Sequence, residues 1–400
     1  MTFHVRALGI DNLKQAQVEL AKINCDKTKI PAMDDKVVFR VIKLENISTQ
    51  NANFLKQAFL VNGGEVVVGR STIDFGTAYA DVLLCATKKQ FQKAISQLKI
   101  EPWGLSSIAE AIERTINNIE SFPQRSYNWQ HHSLKIMPRH TLIMGILNVT
   151  PDSFSDGGKY NTIDKALYHV EQMIQCGADI IDIGAESTRP YLGAEKISAE
   201  EEMNRLGPLL ERVLSISTVP VSVDTYKSSV ALEALKLGAH MINDIWGLQQ
   251  DQKMARVVAE YNAPIIIMHN QDTTYYQQDI MSEIYNFLQK SISIGIQAGI
   301  DPNNIIIDPG IGFGKTPEQN LIVMSRLDEL RSLGCPILLG TSNKRFIGEV
   351  LGLSVEERSE GTGATVSIGI MKGSNIVRVH NVQAMTRIAR MTDAMMRSDI

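Results

Sequence analysis

From residue 141 onward, the sequence alternates short β-branched runs with amphipathic helical stretches, and this unit occurs eight times. The apolar runs are nearly continuous, as expected for parallel strands that are covered on both faces. They begin at Thr141, Asp179, Pro220, His240, Pro264, Asn304, Pro336 and Asn375. Eight strand–helix units in about 260 residues match the size of a (β/α)8 TIM barrel. A doubly wound open sheet shares this alternation and is the alternative, but the segment after Asn381 supplies an eighth helix and favours the barrel.

The N-terminal region has a different pattern. Residues 37–47, 65–72 and 80–87 are predicted strands, and residues 50–61, 88–99 and 106–119 are predicted helices. We therefore expect a small α+β domain over residues 1–121, a linker over 122–137 and the barrel over 138–400. Residues 1–137 contain no metal-ligand spacing, phosphate-binding loop or nucleophile motif, so a structural or dimer-supporting role is the interpretation for this domain.

The overall charge and the cysteine pattern restrict the kinds of partner. A formal net charge of -4 leaves no global basic field for nucleic acid or an anionic membrane. The four cysteines form no CxxC pair and are predicted to be reduced thiols. The N-terminus has no signal-peptide pattern, and no apolar run approaches the ~20 residues of a membrane span. We expect a soluble, cytoplasmic protein.

A long polar loop follows the first barrel strand. The segment NVTPDSFSDGG, residues 148–158, combines Pro151, two aspartates, two serines and a Gly-Gly pair, and these residues predict a loop and not a regular element. It carries amide, carboxylate and hydroxyl groups beside one aromatic residue, Phe154. A polar loop that directly follows a buried strand contributes to function more often than to stability.

Polar residues follow all eight predicted strands. In a parallel barrel the catalytic groups come from the carboxyl ends of several strands. The residues at those ends are Asn148; Glu186, Ser187, Thr188 and Arg189; Asp224; Asn243 and Asp244; His269; Asp308; Ser342, Asn343 and Lys344; and Arg378 with His380. Any one of them could be a helix cap or a satisfied core residue. Together they predict an active site at this end of the barrel.

The residue types indicate what this site could bind. Arg378 and His380 are two apart on a strand, point to the same face and predict a local cationic site for a phosphate or carboxylate. Carboxylate and amide groups at Asp224, Asn243 and Asp308 suit a planar heterocycle with adjacent N–H donors, such as a 2-amino-4-oxo ring. Lys344 would add a donor, and Phe313 in DPGIGFGKT would add an apolar wall.

Two further interpretations concern Asn148 and the stretch GFGKT. Asn148 could help a divalent cation bridge diphosphate oxygens, because Mg²⁺ takes few protein ligands. The stretch GFGKT lacks the GxxxxGK[ST] spacing of a phosphate-binding loop, so nucleoside triphosphate binding is not expected.

With these motifs in place, residues 138–400 closely resemble the dihydropteroate synthase family. The matching segments are MGILNVTPDSFSDGG at 144–158, GADIIDIGAESTRP at 177–190, VSVDT at 221–225, INDI at 242–245, DPGIGFGKT at 308–316, SNKRFIG at 342–348 and RVH at 378–380. They occur in family order and run through the whole predicted barrel. Residues 1–137 are outside this resemblance.

The resemblance implies condensation of 4-aminobenzoate with (7,8-dihydropterin-6-yl)methyl diphosphate, giving 7,8-dihydropteroate and diphosphate by an SN1-like step. It implies that Asp224, Asn243, Asp308 and Lys344 bind the pterin, with Phe313 lining its pocket. Arg378 and His380 would hold the diphosphate, which Asn148 would reach through Mg²⁺. The resemblance also implies a homodimer through the late helices. The implied aminobenzoate contacts are Phe154, Asp156, Thr188, Arg189, Pro190 and Arg345.

Three positions depart from the family pattern. Asn343 stands where the family usually has Arg, Asn381 stands where Asp often follows RVH, and Ala185 replaces a common Gly. None of them removes an implied pterin ligand. The alternatives are a methyltetrahydrofolate:corrinoid methyltransferase, which would share the pterin pocket, and a catalytically silent paralogue that binds pterin or a partner protein.

Overall fold

The structure, a computed structural model, describes residues 3–74, 76–100, 104–120, 124–149, 159–186 and 196–397, and for residues 159–162 and 397 it describes the backbone alone. The chain divides into two compact units, Met1–Ser121 with Ser398–Ile400 and Phe122–Arg397. None of the helices in the described ranges combines the length and apolar character that a membrane span requires.

The N-terminal unit is an α+β fold, as the sequence predicts. Its elements are α1 (Leu13–Lys22), α2 (Ile30–Val37), β1 (Phe39–Ser48), α3 (Thr49–Val61), β2 (Glu65–Val68), α4 (Arg70–Ile73), β3 (Tyr79–Thr87), α5 (Lys88–Ile100) and α6 (Leu105–Glu120). The strands form an antiparallel sheet in the order β1-β3-β2. Its core joins buried residues from β1, β2 and β3 to residues from α3, α5 and α6, with the rings of Phe59 and Phe91 packed edge to face.

Two features of this unit differ from the sequence-based expectations, and a third agrees with them. Helices α1 and α2 were not predicted. The strand predicted over 65–72 ends at Val68, because Gly69 precedes the helical turn α4. Helix α3 ends where predicted, since Gly63 adopts a φ of 80°, which is in the left-handed region that favours glycine.

The second unit contains ten strands and nine α-helices within the described ranges. Its strands are β4 (Arg125–Asn128), β5 (Ser133–Ile136), β6 (Leu142–Asn148), β7 (Ile180–Gly184), β8 (Val221–Asp224), β9 (Met241–Asp244), β10 (Ile265–Met268), β11 (Ile305–Asp308), β12 (Leu338–Leu339) and β13 (Ile376–Val379). Its helices are α7 (Lys159–Gln175), α8 (Ala199–Ile216), α9 (Ser228–Leu237), α10 (Met254–Glu260), α11 (Ile280–Gln297), α12 (Pro317–Ser325), α13 (Arg345–Leu351), α14 (Ser359–Met371) and α15 (Val382–Arg397). Short 3₁₀ turns span Pro302–Asn304, Leu327–Leu333 and Val355–Glu357.

Strands β6 to β13 form one parallel sheet in the order β11-β10-β9-β8-β7-β6-β13-β12. A parallel bridge between Ile307 and Ile337 joins the two ends of this order. The sheet therefore curls into a ring of eight strands, and the (β/α)8 barrel is confirmed over the doubly wound alternative.

A layer of apolar side chains fills the barrel interior near the amino ends of the strands; we call it the lower interior layer. Alternate strand residues contribute to it, because side chains in a strand have a period of two. These residues are Leu142, Met144, Ile180, Met241, Ile266, Ile306, Leu338 and Ile376, and they pack with Tyr127, Leu134 and Ile136 of β4 and β5. A larger cluster lies between the strands and the surrounding helices.

The segment predicted to be a linker is instead ordered over most of its length. Strands β4 and β5 pair antiparallel, with Tyr127 opposite Leu134. The apolar side chains of this hairpin meet the lower interior layer, so burial of Leu134 and Ile136 outweighs the polar and aromatic composition that suggested a linker.

The last helix packs on the barrel through its first turns. Val382 and Met385 are buried, whereas Met395 is half exposed. Asn381 accepts a hydrogen bond from the backbone N–H of Ala384, so it caps the helix as an aspartate would. The departure at this position therefore preserves the local structure.

Candidate active site

A polar layer lies directly above the lower interior layer, and the period of the strands explains its composition. Two residues after Ile180, Met241, Ile306 and Ile376 come Asp182, Asn243, Asp308 and Arg378. On β8 the same face carries Ser222 and then Asp224, because alternate residues of a strand share one face. Asp182, Asn243, Asp308, Arg378 and Asp224 thus project into the carboxyl end of the barrel, and Ser222 lies level with Asp182.

Arg378 bridges two carboxylates in this layer. Its Nε donates to Oδ2 of Asp182 over 2.6 Å, and its Nη2 donates to Oδ2 of Asp224 over 2.8 Å. Arg378, one of the two residues of the predicted cationic site, is therefore already paired with two carboxylates of the protein. Any anion that Arg378 holds must be met by the remaining guanidinium donors or by a rearrangement of these pairs.

Asp182 is a site residue that the sequence analysis did not assign. Its side chain is fully buried, and Oδ2 also accepts a hydrogen bond from Nδ2 of Asn243 over 3.1 Å. Because a carboxylate only accepts, the amide nitrogen of Asn243 faces Asp182 and its carbonyl oxygen points away. The prediction considered residues after each apolar run, whereas Asp182 lies within one. Counting two residues on from Ile180 would have found it.

Two buried carboxyl groups have strongly altered acidity. Burial raises the pKa of Asp224 to about 7, against the opposing effect of the Arg378 charge. Burial likewise raises the pKa of Asp308 to about 6, although a hydrogen bond from the backbone N–H of Gly310 and the charge of Lys344 favour its ionised form. Among the described residues, Oδ1 of Asp182 and Oδ1 of Asp224 have no hydrogen-bond partner. Buried acceptors of this kind are suited to ligand N–H groups.

The loop after β11 provides the aromatic wall. The ammonium group of Lys344 lies 4.1 Å from the ring centroid of Phe313, which is a cation–π contact. Gly310 adopts a φ of 68°, and a Cβ there would lie 1.9 Å from the carbonyl oxygen of His269. Glycine is therefore required where this loop passes the end of β10.

Lys315, in the same loop, is a second residue that the sequence analysis left unassigned. Its side chain is 1% exposed, and Nζ lies within 3.0 Å of the carbonyl oxygens of Gly310 and Phe313 and of Nδ1 of His269. Burial lowers the pKa of Lys315 to about 7, while the charge of Asp308 opposes this change. The sequence pattern gives no signal that three acceptors converge on this ammonium group, because one of them belongs to the end of β10.

Asn343 follows β12 and His380 follows β13, so both lie at the carboxyl ends of neighbouring strands. Oγ of Ser342 lies 2.9 Å from Nδ1 of His380 and accepts a hydrogen bond from its backbone N–H. Asn343 has a φ of 55°, a conformation that asparagine tolerates better than most residues. Its carbonyl oxygen accepts a hydrogen bond from Arg358, so an arginine from α14's N-terminal cap lies beside the position where the family usually has one.

Some polar residues at the strand ends have structural partners. The carboxylate of Asp244 accepts hydrogen bonds from the backbone N–H groups of Trp246 and Leu248, which shapes the turn after β9. Lys227 pairs with both Glu186 and Glu202. Asp244 is therefore satisfied by the backbone of the turn that follows β9, and Glu186 belongs to an ion-pair cluster.

The predicted aminobenzoate contacts fall mostly outside the described ranges. Phe154 and Asp156 of the first loop are not described, nor are Thr188, Arg189 and Pro190 of the second. Arg345 begins α13 and is paired with Glu349 on the next turn.

Asn148 is the last residue of β6. It aligns with Gly184 on β7, which in turn aligns with Asp224 on β8. Within the described ranges no three His, Cys, Asp or Glu side chains are grouped closely enough to hold a metal ion by themselves.

Comparison with known proteins shows to which family this chain is related. The family model described as "Pterin binding enzyme" matches residues 144–380. A dihydropteroate synthase from Bacillus subtilis is 58% identical over 256 residues, which cover 64% of this chain and 89% of that protein.

Two solved structures agree with this relationship. A Clostridium difficile dihydropteroate synthase, solved in the presence of pteroic acid, has 52% identity and a TM-score of 0.63 and covers 64% of this chain and 97% of its own. The Xanthomonas albilineans enzyme with 4-aminobenzoic acid has 37% identity and a TM-score of 0.65 and covers 68% of this chain and 99% of its own. This chain therefore belongs to the dihydropteroate synthase family of pterin-binding transferases.

Proposed function

We propose that this chain condenses 4-aminobenzoate with (7,8-dihydropterin-6-yl)methyl diphosphate to give 7,8-dihydropteroate and diphosphate. The observation that carries the proposal is the buried polar layer, in which two carboxylate oxygens lack partners among the described residues while Phe313 and Lys344 flank the same end of the barrel. Such a pocket suits a flat ring whose edge carries several N–H groups and one carbonyl.

The pterin is held by four residues. Asp224 and Asp308 accept hydrogen bonds from ring N–H groups, and Asn243, whose carbonyl oxygen points away from Asp182, adds another acceptor. Lys344 donates to a ring nitrogen or carbonyl, and Phe313 packs beside the ring. Both carboxylates must be ionised to accept two ring donors, so the raised pKa values of Asp224 and Asp308 make binding sensitive to pH.

The diphosphate is held by Arg378 and His380. Arg378 has five N–H donors, and its pairs with Asp182 and Asp224 use two of them. When the pterin approaches Asp224, its N–H donors compete with Arg378 for the same carboxylate. Arg378 then retains Asp182 as its anchor and directs its remaining donors to the leaving group.

Mg²⁺ fits the amide oxygen of Asn148. This ion prefers oxygen ligands and usually combines one or two protein groups with water and substrate phosphate. Asn148 ends β6 at the same level as Asp224, next to the carboxyl edge where the diphosphate is proposed to lie. When bound, the ion would neutralise charge that develops on the departing diphosphate.

The reaction needs little proton transfer from the protein. An aryl amine is neutral near pH 7 and can act directly as the nucleophile. Loss of diphosphate breaks the C–O bond and leaves positive charge on the exocyclic carbon and the ring, which the carboxylate of Asp224 stabilises. The amine then forms the C–N bond, and its extra proton passes to solvent. The second substrate is contacted by Phe154, Asp156, Thr188, Arg189, Pro190 and Arg345.

Release of diphosphate tests this proposal. The full chain should release diphosphate only when the pterin substrate, 4-aminobenzoate and Mg²⁺ are all present, and chelation of the metal should stop the release. A corrinoid methyltransferase would not form a pteroate, and a silent pterin-binding paralogue would bind the pterin without turnover. Either of those results would overturn the proposed function.

We also propose that the chain acts in the cytoplasm as a homodimer that forms through the late helices. Several large apolar side chains on α12, α13 and α14 are exposed, namely Leu321, Ile322, Val350, Leu351, Ile368 and Met371. The three helices contact one another, and exposed apolar side chains on neighbouring helices are typical of a protein–protein interface. Light scattering should give twice the mass of the chain, and Ile368→Glu with Met371→Glu should give the monomer mass. A monomeric wild-type protein would contradict the dimer.

A further inference from the structure

The motif GFGKT contains a lysine for which the proposed reaction provides no direct role. Lys315 is 1% exposed, although burying an ammonium group is costly unless it is hydrogen-bonded. Lysines this deeply buried are rare in folded proteins. The surroundings of Lys315 therefore indicate what it contributes.

Three acceptors surround the ammonium group of Lys315. It donates to the carbonyl oxygens of Gly310 over 2.9 Å and Phe313 over 3.0 Å, and it lies 3.0 Å from Nδ1 of His269. Burial lowers the pKa of His269 well below its usual value, so its ring is neutral and Nδ1 can accept the third hydrogen bond. One side chain thus ties the loop after β11 to the end of β10.

The same hydrogen bonds connect Lys315 to the pterin pocket. The peptide group of Gly310 receives a hydrogen bond from Lys315 at its oxygen, while the N–H of Gly310 donates to Oδ1 of Asp308 over 2.7 Å. At the other side of the loop, the bond to the carbonyl of Phe313 fixes the backbone that carries the aromatic wall. Lys315 therefore contacts the backbone of Phe313 directly and reaches Asp308 through the peptide group of Gly310.

The charge of Lys315 acts on Asp308 along the same path. Three cations act on this carboxylate, namely Lys344 from the turn before α13, Lys315 from the loop after β11 and Arg378 from β13. His269 faces Lys315 from β10 and is neutral. A buried positive charge close to a buried carboxyl group favours its ionised form, because water does not screen the pair.

We propose that Lys315 is a positioning residue for the pterin pocket, which sets the shape of the loop from Gly310 to Phe313 and keeps Asp308 ionised for the pterin N–H groups. This inference rests on the proposed function, since it concerns how that pocket recognises its ring. It makes no claim on the aminobenzoate site.

The chain offers a matched control in α12, which supports the same loop. Asn320 is 2% exposed, its Oδ1 accepts a hydrogen bond from the N–H of Gly312 over 2.7 Å, and its Nδ2 donates to the carbonyl of Thr316. Asn320→Ala removes support from the loop without removing charge. Lys315→Met removes both the charge and the donors, and Lys315→Gln removes the charge while retaining an amide donor.

The experiment measures steady-state kinetics of the full chain over about pH 5 to 9, where the essential ionisations appear as limbs of the kcat/KM profile. Lys315→Met should raise the KM for the pterin substrate about ten- to a hundredfold, as expected for a displaced binding group, and should leave the KM for 4-aminobenzoate nearly unchanged. The acid limb of kcat/KM for the pterin should move to higher pH in both Lys315 variants. Asn320→Ala should raise the pterin KM without moving that limb.

The outcomes separate this inference from the proposed function. Wild-type protein without turnover would refute the proposed function itself. An active wild type whose acid limb stays in place in both Lys315 variants, or moves equally in Asn320→Ala, would overturn the role of Lys315. If Lys315→Met does not fold, the comparison of Lys315→Gln with Asn320→Ala decides the question in the same way.

Discussion

Near the amino ends of the barrel strands a buried histidine pair has hydrogen-bond partners at both of its ends, whereas at the carboxyl ends two buried carboxylates are only partly satisfied within the described residues. Near the amino ends the backbone N–H of Val221 donates to Nδ1 of His240, whose Nε2 lies 3.1 Å from Nδ1 of His132, and Nε2 of that ring lies 3.0 Å from the carbonyl oxygen of Ser217. At the other end Asp182 and Asp224 keep carboxylate oxygens without partners among the described residues.

This difference separates stability from function within one set of strands. The amino ends are closed by the hairpin of β4 and β5, where Leu134 and Ile136 meet the lower interior layer. The carboxyl ends bury two carboxyl groups whose pKa values are raised, which is a cost to the folded state at neutral pH. Changes at the two ends should therefore have opposite signatures.

The largest effect should come from Asp224→Asn. The amide has one acceptor oxygen where the carboxylate has two, so it cannot hold two ring donors side by side. It also carries no negative charge to stabilise the developing cation. We expect turnover to fall by about 10²–10³-fold, as for the removal of one preorganised electrostatic group. Chemical denaturation should show little loss of stability, because a buried carboxyl group with a raised pKa is replaced by a neutral side chain. Wild-type activity would contradict the assignment of Asp224.

The opposite signature should come from Leu134→Ala at the amino end. Leu134 is buried in the hairpin, and its truncation should lower the free energy of unfolding by about 2–5 kcal/mol. The pterin KM and kcat should stay close to wild type below the unfolding transition. A change in KM comparable to that of a site variant would show that the two ends are not independent.

Asp182→Asn sharpens the comparison within the polar layer. The substitution preserves the size of the side chain and removes the charge that anchors Arg378. We expect kcat/KM to fall by about ten- to a hundredfold, as for a misplaced binding group. Calorimetric binding of a pterin without diphosphate should be less affected than turnover. Equal losses in both measurements would indicate that Asp182 acts on the pterin itself and not through Arg378.

The smallest net effect should appear in the pH dependence of stability, because the contributions of the two ends have opposite signs and partly cancel. Burial raises the pKa of Asp224 to about 7, so the folded state binds the extra proton and stability falls as the pH rises from about 4 to 7. Burial lowers the pKa of His240 to about 4, so the unfolded state binds the extra proton and stability rises with pH from about 4 to 6.5.

Single variants should expose each contribution. Asp224→Asn should reduce the falling component of the unfolding free energy and leave the part due to Asp308. His240→Asn keeps an acceptor for Val221 but cannot be protonated, so it should reduce the rising component. Urea titrations at several pH values measure both slopes. If the slope between pH 4 and 6.5 is unchanged in His240→Asn, the histidine pair is not the titrating element at the amino end.

The sequence predicted the barrel because each of its eight apolar runs is long enough to mark a buried strand. It predicted the polar layer at the carboxyl ends less completely. Asp224, Asn243, Asp308 and Arg378 were assigned from their places at or near the ends of apolar runs, whereas Asp182, in the middle of such a run, was not. Lys315 was dismissed with the phosphate-loop motif, since the pattern does not reveal that three acceptors converge on its ammonium group.

The hairpin of β4 and β5 shows the same limit of local sequence patterns. Residues 122–137 are polar and aromatic in composition, and the local pattern favours a linker. Only the apolar layer at the amino ends of the strands makes burial of Tyr127, Leu134 and Ile136 favourable. That layer is formed by strands far away in the sequence, so a local pattern cannot report it.

The sequence by itself determined the number and direction of the barrel strands and the polar groups at most of their ends, because strand periodicity and burial are written into neighbouring residues. The tertiary structure alone decided which of those groups pair. Arg378 lies 196 residues from Asp182 and 154 from Asp224, yet closure of the barrel brings all three together. Partnerships across such separations depend on packing of the whole ring of strands, and they settle which buried charges are satisfied and which remain for a substrate.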